Sequence, residues 1–153
     1  MRKTTPLLII AFVLFISSCK TADNQVPEIA ADFCKCISVL EKDMSKATVD
    51  VISRAAEAAD PEQAMEKAME GMSEEDKMKV AMEMVGMSKL DDASSEVGRC
   101  MKDVEKKYDK SYTFNEKKFG EKIIKELESK NGCGLTAAIM KLGLKVESKE
   151  KKD

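Results

Sequence analysis

The sequence predicts an all-α fold, an irregular bundle of four to six helices, and three observations carry that prediction. Apolar residues recur at spacings of three and four through most of the chain. Helix-capping residues stand at the boundaries between these runs. No segment alternates apolar and polar residues over a strand's length with β-branched enrichment. Aromatic residues make up only 5% of the chain, so its core must be built from Met, Ile, Leu and Val.

Taken in order, Pro27 suits a first helical position, where its missing N–H has no partner to lose. Ile29, Phe33, Ile37, Leu40, Met44 and Val51 then give one apolar face, and a single helix is expected from Ile29 to Val51. Asp60-Pro61-Glu62-Gln63 reads as an N-cap, a first-turn Pro and a capping-box Gln, opening a short helix that Gly71 closes. Ser73 caps the next helix, to Ser88, and Glu74, Glu75 and Asp76 sit at the positive end of its dipole. Leu90, Ala93, Val97, Met101, Val104 and Tyr108 form a further stripe. Thr113 with Glu116 caps a helix carrying Phe119, Ile123, Ile124 and Leu127, which ends before Asn131-Gly132. Leu135, Ala138, Ile139 and Leu142 form a last short helix, and Lys145 to Asp153 reads as a solvated charged tail.

The first nineteen residues have the layout of an export signal: Arg2 and Lys3, an apolar stretch from Leu7 to Ile16, then Ser17 and Ser18. That stretch is half the roughly 20 residues a membrane-spanning helix requires. Ile16-Ser17-Ser18-Cys19 resembles the lipobox of bacterial lipoproteins, with Ile16 where Leu is commonest. The resemblance covers only the N-terminal region. It implies that residues 1–18 are a cleaved signal peptide and that Cys19 is lipid-modified, holding the protein on a membrane. Lys20 in place of Asp after that Cys implies, by the same resemblance, the outer membrane over the inner. The expected layout is thus a signal peptide at 1–18, a lipid-anchored linker at 19–26, a helical domain at 27–144 and a tail at 145–153. The mature part has the look of small helical lipoproteins of unknown function.

Removing residues 1–18 leaves 135 residues, one domain's worth. Arg2 and Lys3 go with the signal, so 24 basic residues face 28 acidic ones, a net charge of −4. An acidic balance without a basic, aromatic-interleaved patch argues against nucleic acid as a partner. The chain has no His, which removes the commonest general base, the Ser-His-Asp arrangement and the usual zinc-hydrolase sites. No Gly-rich phosphate loop is present. No cofactor and no enzymatic activity are expected.

With Cys19 lipidated, Cys34, Cys36, Cys100 and Cys133 remain, an even number in an oxidising compartment, and two disulfides are expected. At about 100° per residue, Cys34 and Cys36 straddle the buried seam of their helix and point apart, so they cannot bond to each other. One should bond to Cys100 and the other to Cys133; which goes with which is open. The alternatives are a redox-active Cys34-Lys35-Cys36 pair or a soft-metal site using these sulfurs.

Seven Met residues fall between Met65 and Met87. In the helix from Ser73, Met78, Ala81, Met82 and Val85 share one face, while Val80, Met84 and Met87 lie opposite. A helix apolar on two faces is either sandwiched in the bundle or offers one face to something else, such as a protein or apolar partner. Thioethers at Met65, Met69 and Met72, or at Met78, Met82 and Met84, are also candidate soft ligands for Cu(I). The functional expectation is a membrane-anchored cell-envelope lipoprotein acting as a non-catalytic interaction module. A Cu(I)-binding lipoprotein and a thiol-redox protein are the alternatives.

Overall fold

A computed structural model of the chain describes residues 22–108 and 117–150, and the side chains of residues 24–108 and 117–146 within them. Among the described residues the fold is all-α, with seven helices and no strands: α1 Ala22–Glu41, α2 Lys46–Glu57, α3 Pro61–Met69, α4 Glu74–Val85, α5 Glu96–Tyr108, α6 Lys117–Glu128 and α7 Gly134–Glu150. A 3₁₀ turn, Gly86–Leu90, follows α4. The Thr113/Glu116 cap and the signal and lipidation residues lie outside the described residues.

Helix α1 is the hub, packing against α5, α6 and α7, while α2 packs against α3, α4 and α7. The core accordingly has two parts. One gathers Val26, Ile29 and Ala30 of α1 with Val104 and Tyr108 of α5 and Phe119, Ile123 and Leu127 of α6. The other joins Ile37 and Leu40 of α1 to Ile52 and Ala56 of α2, with Val97, Leu135 and Ala138. Most helical stability comes from burying such faces and not from propensity.

Five boundaries differ from the sequence reading. The single helix from Ile29 to Val51 is broken after Glu41. Asp43 and Met44 N–H groups bond back to Leu40 and Glu41 carbonyls, and Ser45 caps a new helix by accepting from the Thr48 N–H. The apolar spacing runs on across this break because Met44, in the turn, packs against the same part of the core as Leu40 and Ile52. Pro27 is the sixth residue of α1 and not the first, so the expected linker 19–26 is helical from Ala22. Val26 is the tertiary anchor for that first stretch, 7% exposed beside Ile29 and Ala30, while the Pro27 ring faces outward.

The last helix is not short. Helix α7 runs 17 residues to Glu150, and the expected tail at 145–153 is therefore helical over its first six positions. Lys145 belongs to the bundle: its ammonium donates to the Ala56 and Ala58 carbonyls at the end of α2, the latter at 2.6 Å, where the negative end of a helix dipole favours a cation. The helix expected from Ser73 to Ser88 is α-helical only to Val85, tightening into the 3₁₀ turn at Gly86. Leu90 belongs to that turn and Ala93 is exposed in the connection to α5.

Candidate functional site

Helix α4 begins where Ser73 accepts from the Asp76 N–H at 3.1 Å and donates its hydroxyl to the Asp76 carboxylate at 2.7 Å. Lys77 pairs with Glu74 one turn along. The helix packs chiefly on α2 through one face, where Val80 is fully buried and Met84 is half-buried. The opposite face is bare: Met78 is 66% exposed, Met82 67% and Val85 71%. Among the described residues these are three of the four strongly exposed large apolar side chains, and they share one stripe of one helix. Scattered exposed apolar residues are ordinary; a contiguous stripe is not.

Glu83 fixes the orientation of that stripe. One carboxylate oxygen, Oε2, accepts from the Ser45 N–H at 2.7 Å, the Ser45 hydroxyl at 2.8 Å and the Thr48 hydroxyl at 2.6 Å. Glu83 thus caps α2 from outside, placing a negative charge at the positive end of its dipole. Burial pushes this carboxyl up, but the Thr48 and Ser45 hydrogen bonds outweigh it and hold the group below its ordinary 4.5. A group depressed in the fold contributes stability that is present above the unfolded value and lost as pH falls through the folded one. Glu83→Gln is therefore expected to cost about 2 kcal/mol at pH 7, the loss of charge-assisted hydrogen bonds. It should also flatten the fall in stability below about pH 4.5; urea unfolding of both proteins at pH 7 and pH 4 checks this.

Beside Glu83 lies a cleft of about 340 Å³ bounded by Leu40 in the last turn of α1, by Asp43 and Met44 of the α1–α2 connection, and by Lys79, Met82 and Lys89. Met82, in the middle of the exposed stripe, therefore sits across this cleft from the last turn of α1. Twenty residues of helix put that turn about 30 Å from Ala22.

The cysteines are placed away from α4. Cys34 bonds to Cys133 and Cys36 to Cys100, with Cα–Cα distances of 5.3 and 5.5 Å. Cys34 and Cys36 thus hold different partners, and no free thiol flanks Lys35. Gly132, at φ +79°, forms the turn that delivers Cys133 to α1. The Cys36–Cys100 bond lines a cleft of about 410 Å³ with Lys35, Arg99, Asp103, Lys107 and Asp32. There the Tyr108 hydroxyl and the Lys107 ammonium both donate to Asp32 at 2.7 Å, and Lys107 also reaches Glu28 at 3.0 Å. Burial raises the Asp32 carboxyl, but the bonds from Lys107 and Tyr108 prevail and lower it; Tyr108 is pushed up, first by burial. These bonds brace α5 against α1.

A wider cleft, about 610 Å³, lies between α2, α6 and α7 over Ala56, Ile124 and Leu144. Its charges alternate in sign, and Lys141 is shared by Glu57 and Glu128. That makes it another brace. Every buried side-chain nitrogen or oxygen among the described residues has a hydrogen-bond partner.

The candidate thioether ligands divide by position. Met65, Met69 and Met72 are half-buried on and just after α3. Met78 and Met82 are exposed on α4, but Met84 lies about 200° round the helix from Met82 and is turned inward. Met78, Met82 and Met84 therefore do not converge on one ion. Among the described residues no group of three or more Cys, Asp or Glu is placed to hold a metal. The sequence reading singled out both faces of α4; it did not find Glu83, whose partners are 35 and 38 residues away. No protein family, curated protein or solved structure matches this chain.

Proposed function

We propose that this chain is a lipid-anchored cell-envelope protein, tethered through Cys19 to a membrane, the outer one by preference, and working as a non-catalytic interaction module. The observation that carries the interaction reading is the bare stripe Met78-Met82-Val85 on a helix held in register by Glu83. The envelope reading is supported by two disulfides, which persist in oxidising compartments, and by the residues around Cys19. Helix α1 is described from Ala22, three positions after Cys19, and α4 sits beside its far end, about 30 Å from Ala22. That favours a partner beyond the bilayer surface over the bilayer itself.

The test is metabolic labelling with a radioactive fatty acid in cells expressing the full chain, followed by density separation of the membranes. Label should enter the protein, follow the outer-membrane fraction and disappear in Cys19→Ala. An unlabelled protein, or label that survives Cys19→Ala, removes the anchor from the reading.

A further inference from the structure

We infer that the stretch from α3 to α4 is an oxidant trap: the thioethers of Met65, Met69, Met72, Met78, Met82 and Met84 take up oxygen from hypohalous acids as sulfoxides while the core keeps its packing. The inference goes beyond the interaction reading and needs no partner on this face.

The placement of the sulfurs comes first. Met is ordinarily among the side chains found inside a protein, and the composition of this chain leads to a core built partly from it. The structure does the opposite. Among the described residues no Met is buried, and the buried apolar set is Val, Ile, Leu and Ala with Phe119, Tyr108 and two cysteines. Met44, Met87, Met101 and Met140 are half-buried and pack against the core. The six from Met65 to Met84 belong to neither of its two parts. Met78 and Met82 are two-thirds exposed and the other four half-buried. Filling gaps in a core does not account for sulfurs gathered outside it.

Reactivity then singles these thioethers out. A two-electron oxidant attacks thiolates, thioethers, imidazole and indole first, and this chain has no His and no Trp. Cys34, Cys36, Cys100 and Cys133 are held in disulfides and offer no thiolate. The lysines are many but protonated at pH 7, with less than about one amine in a thousand free at an ordinary pKa near 10.4. A thioether keeps its lone pair at every pH. Its sulfur attacks the chlorine of HOCl: the S–Cl bond forms, the Cl–O bond breaks and hydroxide leaves. Water then adds to the chlorosulfonium and chloride departs. Thioether and HOCl have become sulfoxide, chloride and one proton, the sulfur oxidised by two electrons and the chlorine reduced by two.

Position decides what the added oxygen does to the fold. A sulfoxide is polar and disrupts a core that contains it. On Met78 and Met82 it meets solvent. Helix α4 stays docked through groups that the oxidant leaves alone, the buried Val80 and the bonds from Ser45 and Thr48 to Glu83.

Two experiments test this on the full chain. In the first, hypochlorite is added stepwise to the disulfide-bonded protein in detergent, with peptide mass mapping and a circular dichroism melt at each step. Oxygen should enter Met78 and Met82 first, about tenfold faster than Met101, and then Met65, Met69, Met72 and Met84. With those six oxidised, the thermal midpoint should lie within about 3 °C of the untreated protein. Oxygen reaching Met101 or Met140 as early as Met82, or a midpoint that collapses before the six are filled, overturns the inference. A variant combining M65L, M69L, M72L, M78L, M82L and M84L keeps side-chain volume and helix propensity. Its midpoint should begin to fall at about a third of the dose the wild type withstands, and equal doses overturn the trap. The second experiment gives whole cells a brief hypochlorite pulse. The same order of oxidation should appear, then fade as methionine sulfoxide reductases, drawing on dithiols, return the sulfoxides to thioethers. Sulfurs that oxidise in the isolated protein but stay reduced in cells are covered there. That result overturns the trap and leaves the interaction reading standing.

Discussion

Reduction of both disulfides is expected to lower the thermal midpoint by roughly 20 to 30 °C and to unfold much of the domain at 37 °C. Cys34–Cys133 closes 99 residues and Cys36–Cys100 closes 64. In the chain-entropy account, loops of that size are worth about 4 to 5 kcal/mol each. The two are nested, so they are not independent: once Cys34 is joined to Cys133, a shorter path links Cys36 to Cys100. The pair together contributes about 8 kcal/mol, against the 5–15 kcal/mol of net stability typical of a domain. At this size each kcal/mol moves the midpoint by about 3 °C. Circular dichroism melts with and without a phosphine reductant measure the shift. A change of less than about 5 °C would show that packing alone holds the bundle.

The second large effect is expected at Gly98, in the first turn of α5. A Cβ there meets the Asp92 carbonyl oxygen at 2.0 Å, its carbon at 2.6 Å and the Lys89 carbonyl oxygen at 2.9 Å. All three atoms are backbone, and the segment cannot easily retreat. Ser95 donates its hydroxyl to the same two carbonyls, at 2.6 and 2.8 Å, and accepts from the Gly98 N–H at 2.8 Å. Exchanging Gly for Ala in a helix ordinarily stabilises by about 1 kcal/mol. Here the clash reverses the sign, and Gly98→Ala is expected to destabilise by about 3 kcal/mol, at the upper end of overpacking costs. Urea unfolding of the oxidised protein checks it; a variant within 1 kcal/mol of the wild type contradicts the close approach.

How much of this was legible in the sequence depends on how far apart the interacting residues lie. The all-α class, the caps at Asp60 and Ser73 and the two-faced character of α4 are local periodicities and short-range hydrogen bonds, and they read directly. The divergence of Cys34 and Cys36 is also local, a matter of helical phase, and it excluded their mutual bond. Their separate partners, 99 and 64 residues on, needed the tertiary fold to be told apart. The break at Ser45 was hidden because apolar spacing ran through it and because half of its cap is Glu83, on another helix. Lys145 read as tail because nothing nearby announces that its ammonium meets the carbonyl end of α2. At Gly98 the sequence shows a glycine inside an apolar stripe and nothing of the carbonyls above it.

The two crosslinks leave α1 within a single turn, and everything from Ile37 to Arg99 lies between their inner attachment points. Helices α2, α3 and α4 are thus a covalently closed loop clipped at its base. If a load is applied to α4 while the other end of the protein is held, α1 and the sulfur bonds form the rigid mast, and the loop carries the strain. It can pay out from that clip by about 100 Å, half the contour of 63 extended residues, without either crosslink breaking. On release, both ends of the loop are still side by side, so the slack has only to repack against the part of α1 that precedes the clip.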